Sequence, residues 1–171
     1  MMGSAQTVLE LVATAQATAK VSDDHIAEIL RLLDTQGGTD AHVDELRAAT
    51  VALETVAIDL FSVFEARMQH HFRRGPFSRK LRSLLIEAGQ TDLADGFHQY
   101  YLAVNVLKHG KGASYRELLN ATDTFIVLNS AAEHVAEQPA PAPGLVDVRE
   151  QGFIDGLSAT LVEAYHFLEK K

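Results

Sequence analysis

Apolar positions recur along this chain at three- and four-residue spacings almost from end to end, and no stretch keeps the two-residue alternation of a strand. The pattern predicts helices. Residues 5–19 form the first. "VSDDHIAEILRLLDTQGG" predicts a second, with Ser22 as N-cap, Asp23 and Asp24 in the first turn, and Val21 stapled onto Ile26. Gly37 and Gly38 would end it. A long third helix is expected from Asp40 to Phe72. Its stripe is Val43, Leu46, Thr50, Leu53, Ala57, Leu60, Phe64, Arg67 and His71, the seam of a helix packed nearly antiparallel to its neighbours.

"RRGP" then breaks the chain, because the residue before proline avoids the helical region. "SRKLRSLLIEAG" predicts a short fourth helix capped by Ser78. "TDLADGFHQYYLAVNVLKHG" predicts a fifth, burying Leu93, Phe97, Tyr100, Val104 and Leu107 and stopped by Gly110. "SYRE" has the form of a capping box, Ser114 with Glu117. It would open a sixth helix with Leu118, Ala121, Phe125, Leu128, Ala132 and Val135 on one face. "EQPAPAPG" reads as an extended spacer. The last segment, about Glu150 to Lys170, is helical again, with Ile154, Leu157, Leu161, Ala164 and Leu168 facing inward. It is too short to fold alone and must dock on the rest. The expected fold is all-α, an antiparallel bundle of six or seven helices. It forms one domain over residues 1–171, with a Pro/Ala-rich loop at 137–145 before the docking C-terminal helix.

Composition narrows the function. Hydrophobic residues make up 47% of the 171, enough for a real core. The absence of cysteine excludes disulfides, thiolate metal sites and cysteine nucleophiles. No apolar run reaches the ~18 residues that span a bilayer, and the N-terminus lacks the basic-then-apolar order of a signal peptide. The expectation is a cytoplasmic protein with no membrane partner. The net charge is −8, but nine of the fifteen basic residues fall within 67–116, against three acids there. The middle is therefore about +6 in a chain whose flanks sum to about −14. Such a belt attracts anions locally, or is simply a solvated face paired with the acidic flanks.

Three constellations could carry chemistry. In the fifth helix His98, Asn105 and His109 run beside the apolar stripe. His109 sits where the helix dipole favours a cation, so it could serve as acid, base or phosphate contact, or merely cap the carbonyl end. In "FEARMQHHFRRGPFSRK", Arg67 and His71 continue the apolar stripe. They could line an anion pocket with the end of the fifth helix, or lie wet at a frayed bundle end. In "EAYH", Glu163 and His166 have di-iron spacing, but only one such motif occurs and it lies opposite Leu161, so a solvated face is the better reading. "HIAE" and "HVDE", from His25 and His42, read as helix-start chemistry. No phosphate loop and no serine-nucleophile motif is present.

"NVLKHGKG", with Asn105 four residues before His109 at a helix end, resembles the motif of the HEPN superfamily. These are small helical bundles, often dimeric, many of which carry an arginine, a polar residue, three variable residues and a histidine near a helix end; in members that cut RNA, that arginine and histidine work without metal. The arginine position is Val104 here, and Lys108 one turn on returns a charge without the guanidinium fork. The resemblance implies a non-catalytic or degenerate member: a homodimer that binds RNA, a nucleotide or another anionic partner, or acts in a regulatory complex. The ligand contacts would be Asn105 and His109, supported by Arg67, His71 and His98, with Lys108 and Lys111 as peripheral attraction. No cofactor and no metal ligand is expected. A metal-dependent bundle enzyme using several of the eight histidines is one alternative, and a dimeric scaffold without ligand is the other.

Overall fold

A computed structural model describes residues 4–36, 40–128, 144–149 and 152–170. The described residues form six helices: α1 (Ser4–Gln36), α2 (Asp40–Met68), α3 (Phe77–Glu87), α4 (Thr91–His109), α5 (Ala113–Asn120) and α6 (Phe153–Glu169). A single 3-10 turn, Gln69–His71, extends α2. Among them the only strand-like feature is an isolated antiparallel bridge between Leu128 and Val146. The all-α bundle expected from the periodicity is present.

α1 and α2 form a long antiparallel hairpin, with His25 of α1 facing Glu45 of α2 at 3.6 Å. α4 runs antiparallel to α2: Phe61 packs with tilted rings on Tyr101 and Phe97, and Phe64 reaches Phe97. α6 packs against α1, α2 and α4. Its Ile154, Leu157, Leu161, Ala164 and Leu168 are all buried, as the stripe predicted. The core is continuous through these helices, centred on Leu53, Phe61, Phe64, Leu81, Phe97 and Leu161.

The first two predicted helices are one. Val8, Val12, Ala19, Ile26 and Ile29 are buried on a single face, with Ala15 partly buried among them. Ser22 occupies the same stripe, so "VSDD" continues the helix instead of opening one. Val21 is 71% exposed and staples nothing. Packing over the length of α2 outweighs a cap signal of about 1 kcal/mol. His25 accordingly lies in mid-helix, not in a first turn. The Gly37–Gly38 stop lies outside the described residues.

The stripe of α2 also differs at its end. Met68 is fully buried and Arg67 is exposed. A 3.5-residue repeat drifts by about 20° per heptad on a straight helix, so between Val43 and Arg67 the stripe slips by about 70° and Met68 lies nearer the core face than Arg67. Arg67 therefore does not face the bundle interior.

Three cap and boundary assignments change as well. Ser78 is not an N-cap; Pro76 precedes the first turn of α3, and the Ser78 hydroxyl donates to Glu65 of α2 at 2.8 Å. Ser114 and Glu117 do not form a capping box, because α5 starts at Ala113 behind Gly112 and makes no side-chain cap. The sixth helix stops at Asn120 and does not run on through Leu128. Gln99 of α4 explains the stop. Its Oε1 accepts from the Thr124 hydroxyl at 2.8 Å and the Phe125 N–H at 2.9 Å, and its Nε2 donates to the Asp123 carbonyl at 3.2 Å. Thr and Asp favour such local bonds over helix. Phe125 is half exposed as a result. Ala132, Val135, most of the Pro/Ala-rich loop and the start of the last segment at Glu150 lie outside the described residues.

Candidate functional site

α4 places the motif residues. Its bounds match the expected segment, and Gly110 stops it at φ +74°, a conformation that side chains resist. His98, Asn105 and His109 lie along one side, and α5 folds back beside them. His98 Nε2 stands 2.7 Å from Glu117 Oε2, and its ring stacks on Tyr101 at 6.0 Å. The Asn105 amide donates to the Ser114 hydroxyl at 3.3 Å. The two residues expected to cap α5 thus hold α5 to α4 instead. His109 and Lys111 are exposed and Lys108 is half-buried, at the corner between the two helices. Val104, where the motif would carry arginine, is a core position at 1% exposure.

The other candidates stand at the opposite end. His71 Nε2 is 3.0 Å from Glu169 Oε2 at the end of α6. His70 Nδ1 is 2.8 Å from the Arg67 carbonyl oxygen, and the two imidazole rings lie 4.2 Å apart. Because α2 and α4 are antiparallel, Arg67 and His71 lie beyond Phe64, whereas His109 lies twelve residues past Phe97. At ~1.5 Å per residue His109 stands roughly 22–28 Å along the bundle from Arg67 and His71, whereas His98, one residue past Phe97, stands only about 6–12 Å from them. The structure therefore brings His98 and Asn105 onto one α4–α5 face. It does not bring Arg67 or His71 into a pocket with the end of α4.

No protein-family model, curated protein or solved structure matches the chain.

Around the α2–α3 junction the charge is concentrated. Residues 66–86 contain no acid. Arg67, Arg73, Arg74, Arg79 and Lys80 are all exposed, and among the described residues none has a carboxylate oxygen within 4.0 Å. Gly75 turns the chain at φ +89°, and a Cβ there would press on the Lys80 side chain at 2.8 Å, so this tight turn sets basic residues on both sides of itself. The rest of the chain is acidic on balance. A cleft of about 970 Å³ between α1 and α6 is lined by Asp23, Asp24, Asp147 and Asp155 with Lys20 and Arg149. Burial, then the charges of Asp155 and Asp24, hold the Asp23 carboxyl above its ordinary range, with Lys20 opposing.

Sequence reasoning passed over four residues that matter here. His70 was hidden by its more regular neighbour His71. Glu169 is 98 positions from its partner and carries no local signal. Ser114 and Glu117 were visible but assigned to a cap. Glu163 and His166 are exposed on α6.

Proposed function

We propose that this bundle binds the phosphate backbone of RNA through the basic turn between α2 and α3. The observation that carries the reading is the set of five exposed cations at Arg67, Arg73, Arg74, Arg79 and Lys80, unpaired among the described residues. They stand on a protein whose remaining charge is strongly negative. Unpaired surface cations have lost no hydration and are free to displace counterions from a polyanion. They are spread along residues 67–80, on both sides of the Gly75 turn. A mononucleotide is better held in a concave site, so the spread favours an extended chain of phosphates. The HEPN resemblance points to the same ligand class and to a homodimer, which sedimentation would read. With Val104 in the core, the chain is proposed to bind RNA without cutting it.

Fluorescence anisotropy with a labelled single-stranded oligoribonucleotide tests this. Affinity should fall steeply between about 50 and 200 mM salt, and each cation removed should reduce the slope of log K against log salt by about 0.7. Arg73→Ala with Arg74→Ala should weaken binding, whereas His109→Ala, at the far end, should not. Absence of binding at the lower salt would sink the reading. Dependence on His109 with indifference to Arg73 and Arg74 would move the site to the α4–α5 corner.

A further inference from the structure

We infer that His70, His71 and Glu169 form a binding site for a divalent transition ion of the zinc class. The three residues each offer one ligand atom, and these atoms all lie within 4.8 Å of one another. The site is built by the way α2 ends. At Met68 the helix tightens into the 3-10 turn, which sets both imidazoles beside the last turn of α6.

The hydrogen bonding suits a metal. A backbone carbonyl can only accept, so the His70 Nδ1 that faces the Arg67 oxygen carries the ring's proton. In the neutral ring the Nε2 lone pair is then free for coordination. Metal-binding histidines commonly have their other nitrogen tied to a carbonyl in this way, which fixes tautomer and orientation. His71 Nε2 and Glu169 Oε2 are 3.0 Å apart. Two ligands at about 2.0–2.2 Å from a tetrahedral ion lie about 3.3 Å from each other, so this pair can accept an ion between them with little movement. His70 is exposed on a terminal turn, where a small shift of the turn as a whole can close the remaining gap while Nδ1 keeps the Arg67 carbonyl.

The donor set and its surroundings choose the ion. Two imidazoles and one carboxylate suit zinc, cobalt or nickel, whereas magnesium and calcium prefer all-oxygen shells. The neighbouring Arg67, Arg73 and Arg74 disfavour any cation held by charge alone, so bonding to imidazole nitrogen must supply the affinity. Three protein ligands leave a fourth position open. Beside the basic turn, an anion such as phosphate is the ligand the local charge favours there. The ion would also clamp the end of α6 to the end of α2, so binding should raise the melting temperature. This site does not depend on RNA binding, and its test uses no RNA.

The experiment is calorimetric titration of the metal-free full chain with Zn²⁺, together with Co²⁺ as a spectroscopic probe. The expected result is one ion per chain, with visible Co²⁺ absorption of low-coordinate form. Affinity should fall at least about tenfold in His70→Ala and in Glu169→Gln. His70 is exposed and Gln preserves the shape of Glu169, so both variants should fold, which circular dichroism verifies. His25→Ala and His109→Ala remove histidines far from α6's last turn and should bind as the parent does. Absence of saturable 1:1 binding overturns the site. So does wild-type affinity in His70→Ala, or an equal loss in the two control variants.

Discussion

Gly156 tests the seat of α6. It lies inside α6, where alanine would be favoured over glycine by about 1 kcal/mol on propensity alone. A Cβ at this position, however, would collide with the Tyr100 hydroxyl of α4 and come within 3.4 Å of the ring carbon bearing it. The ring cannot swing away freely, because Phe125 and Phe153 flank it at 5.0 and 5.6 Å. Relief requires a shift of the ring or of α6, and overpacking of this kind costs about 1–3 kcal/mol. The collision therefore outweighs propensity, and Gly156→Ala should destabilise the fold by about 1 kcal/mol. That loss corresponds to roughly 2–4 °C in a chain of this size.

Tyr100→Phe removes the colliding oxygen. That hydroxyl makes no hydrogen bond to another described residue, so the change alone should alter stability by less than about 0.5 kcal/mol. In the Tyr100→Phe background, Gly156→Ala should become neutral or stabilising. The double-mutant cycle should give a coupling of about 1–3 kcal/mol. Urea unfolding followed by circular dichroism measures all four proteins, with unchanged m-values as the check on two-state behaviour. Additive effects, or stabilisation by Gly156→Ala in the parent, would refute the described contact between α4 and α6.

Two further outcomes are expected. Glu54 is 8% exposed, and its carboxylate accepts the Gly144 N–H at 2.8 Å. Burial holds its carboxyl above the ordinary glutamate range, with that hydrogen bond partly opposing. The folded state thus binds the proton more tightly than the unfolded state. This contribution is fully present below the ordinary value of about 4.3 and is lost as pH rises through the folded value. Glu54→Gln should accordingly gain stability relative to the parent as pH rises from about 4 toward 7. Urea midpoints across that range measure it, and a constant difference would contradict the assignment. Phe64→Ala deletes a fully buried ring packed on Phe77 and Phe97, and should cost about 3–5 kcal/mol in the same assay. A loss under about 1 kcal/mol would show that Phe64 is not at the centre of the core.

Periodicity alone carried the class of the fold, and at particular helices much more. α4 runs from Thr91 to His109 and stops at Gly110 as its apolar spacing and glycine require, and Ile154, Leu157, Leu161, Ala164 and Leu168 of α6 are buried as their spacing implies, although Phe153, Ser158 and Tyr165 are buried beside them. Those features are local: spacing, a glycine with positive φ, and a face that must leave water. What needed the folded molecule was every choice between competing local signals. Ser22 could cap a helix or sit within one, and the stripe from Ala19 to Ile26 along α2 decided it. The end of α2 could bury Arg67 or Met68, and the accumulated drift of a straight helix decided it. Residues 121–128 kept a helical spacing, yet the Gln99 side chain captured them in an extended path. The candidate-site pairs are of the same kind. His98 finds Glu117 across a helix corner, and His71 finds Glu169 across 98 residues of chain. No local pattern encodes such partners, because their proximity comes from how helices stack and not from what each helix contains.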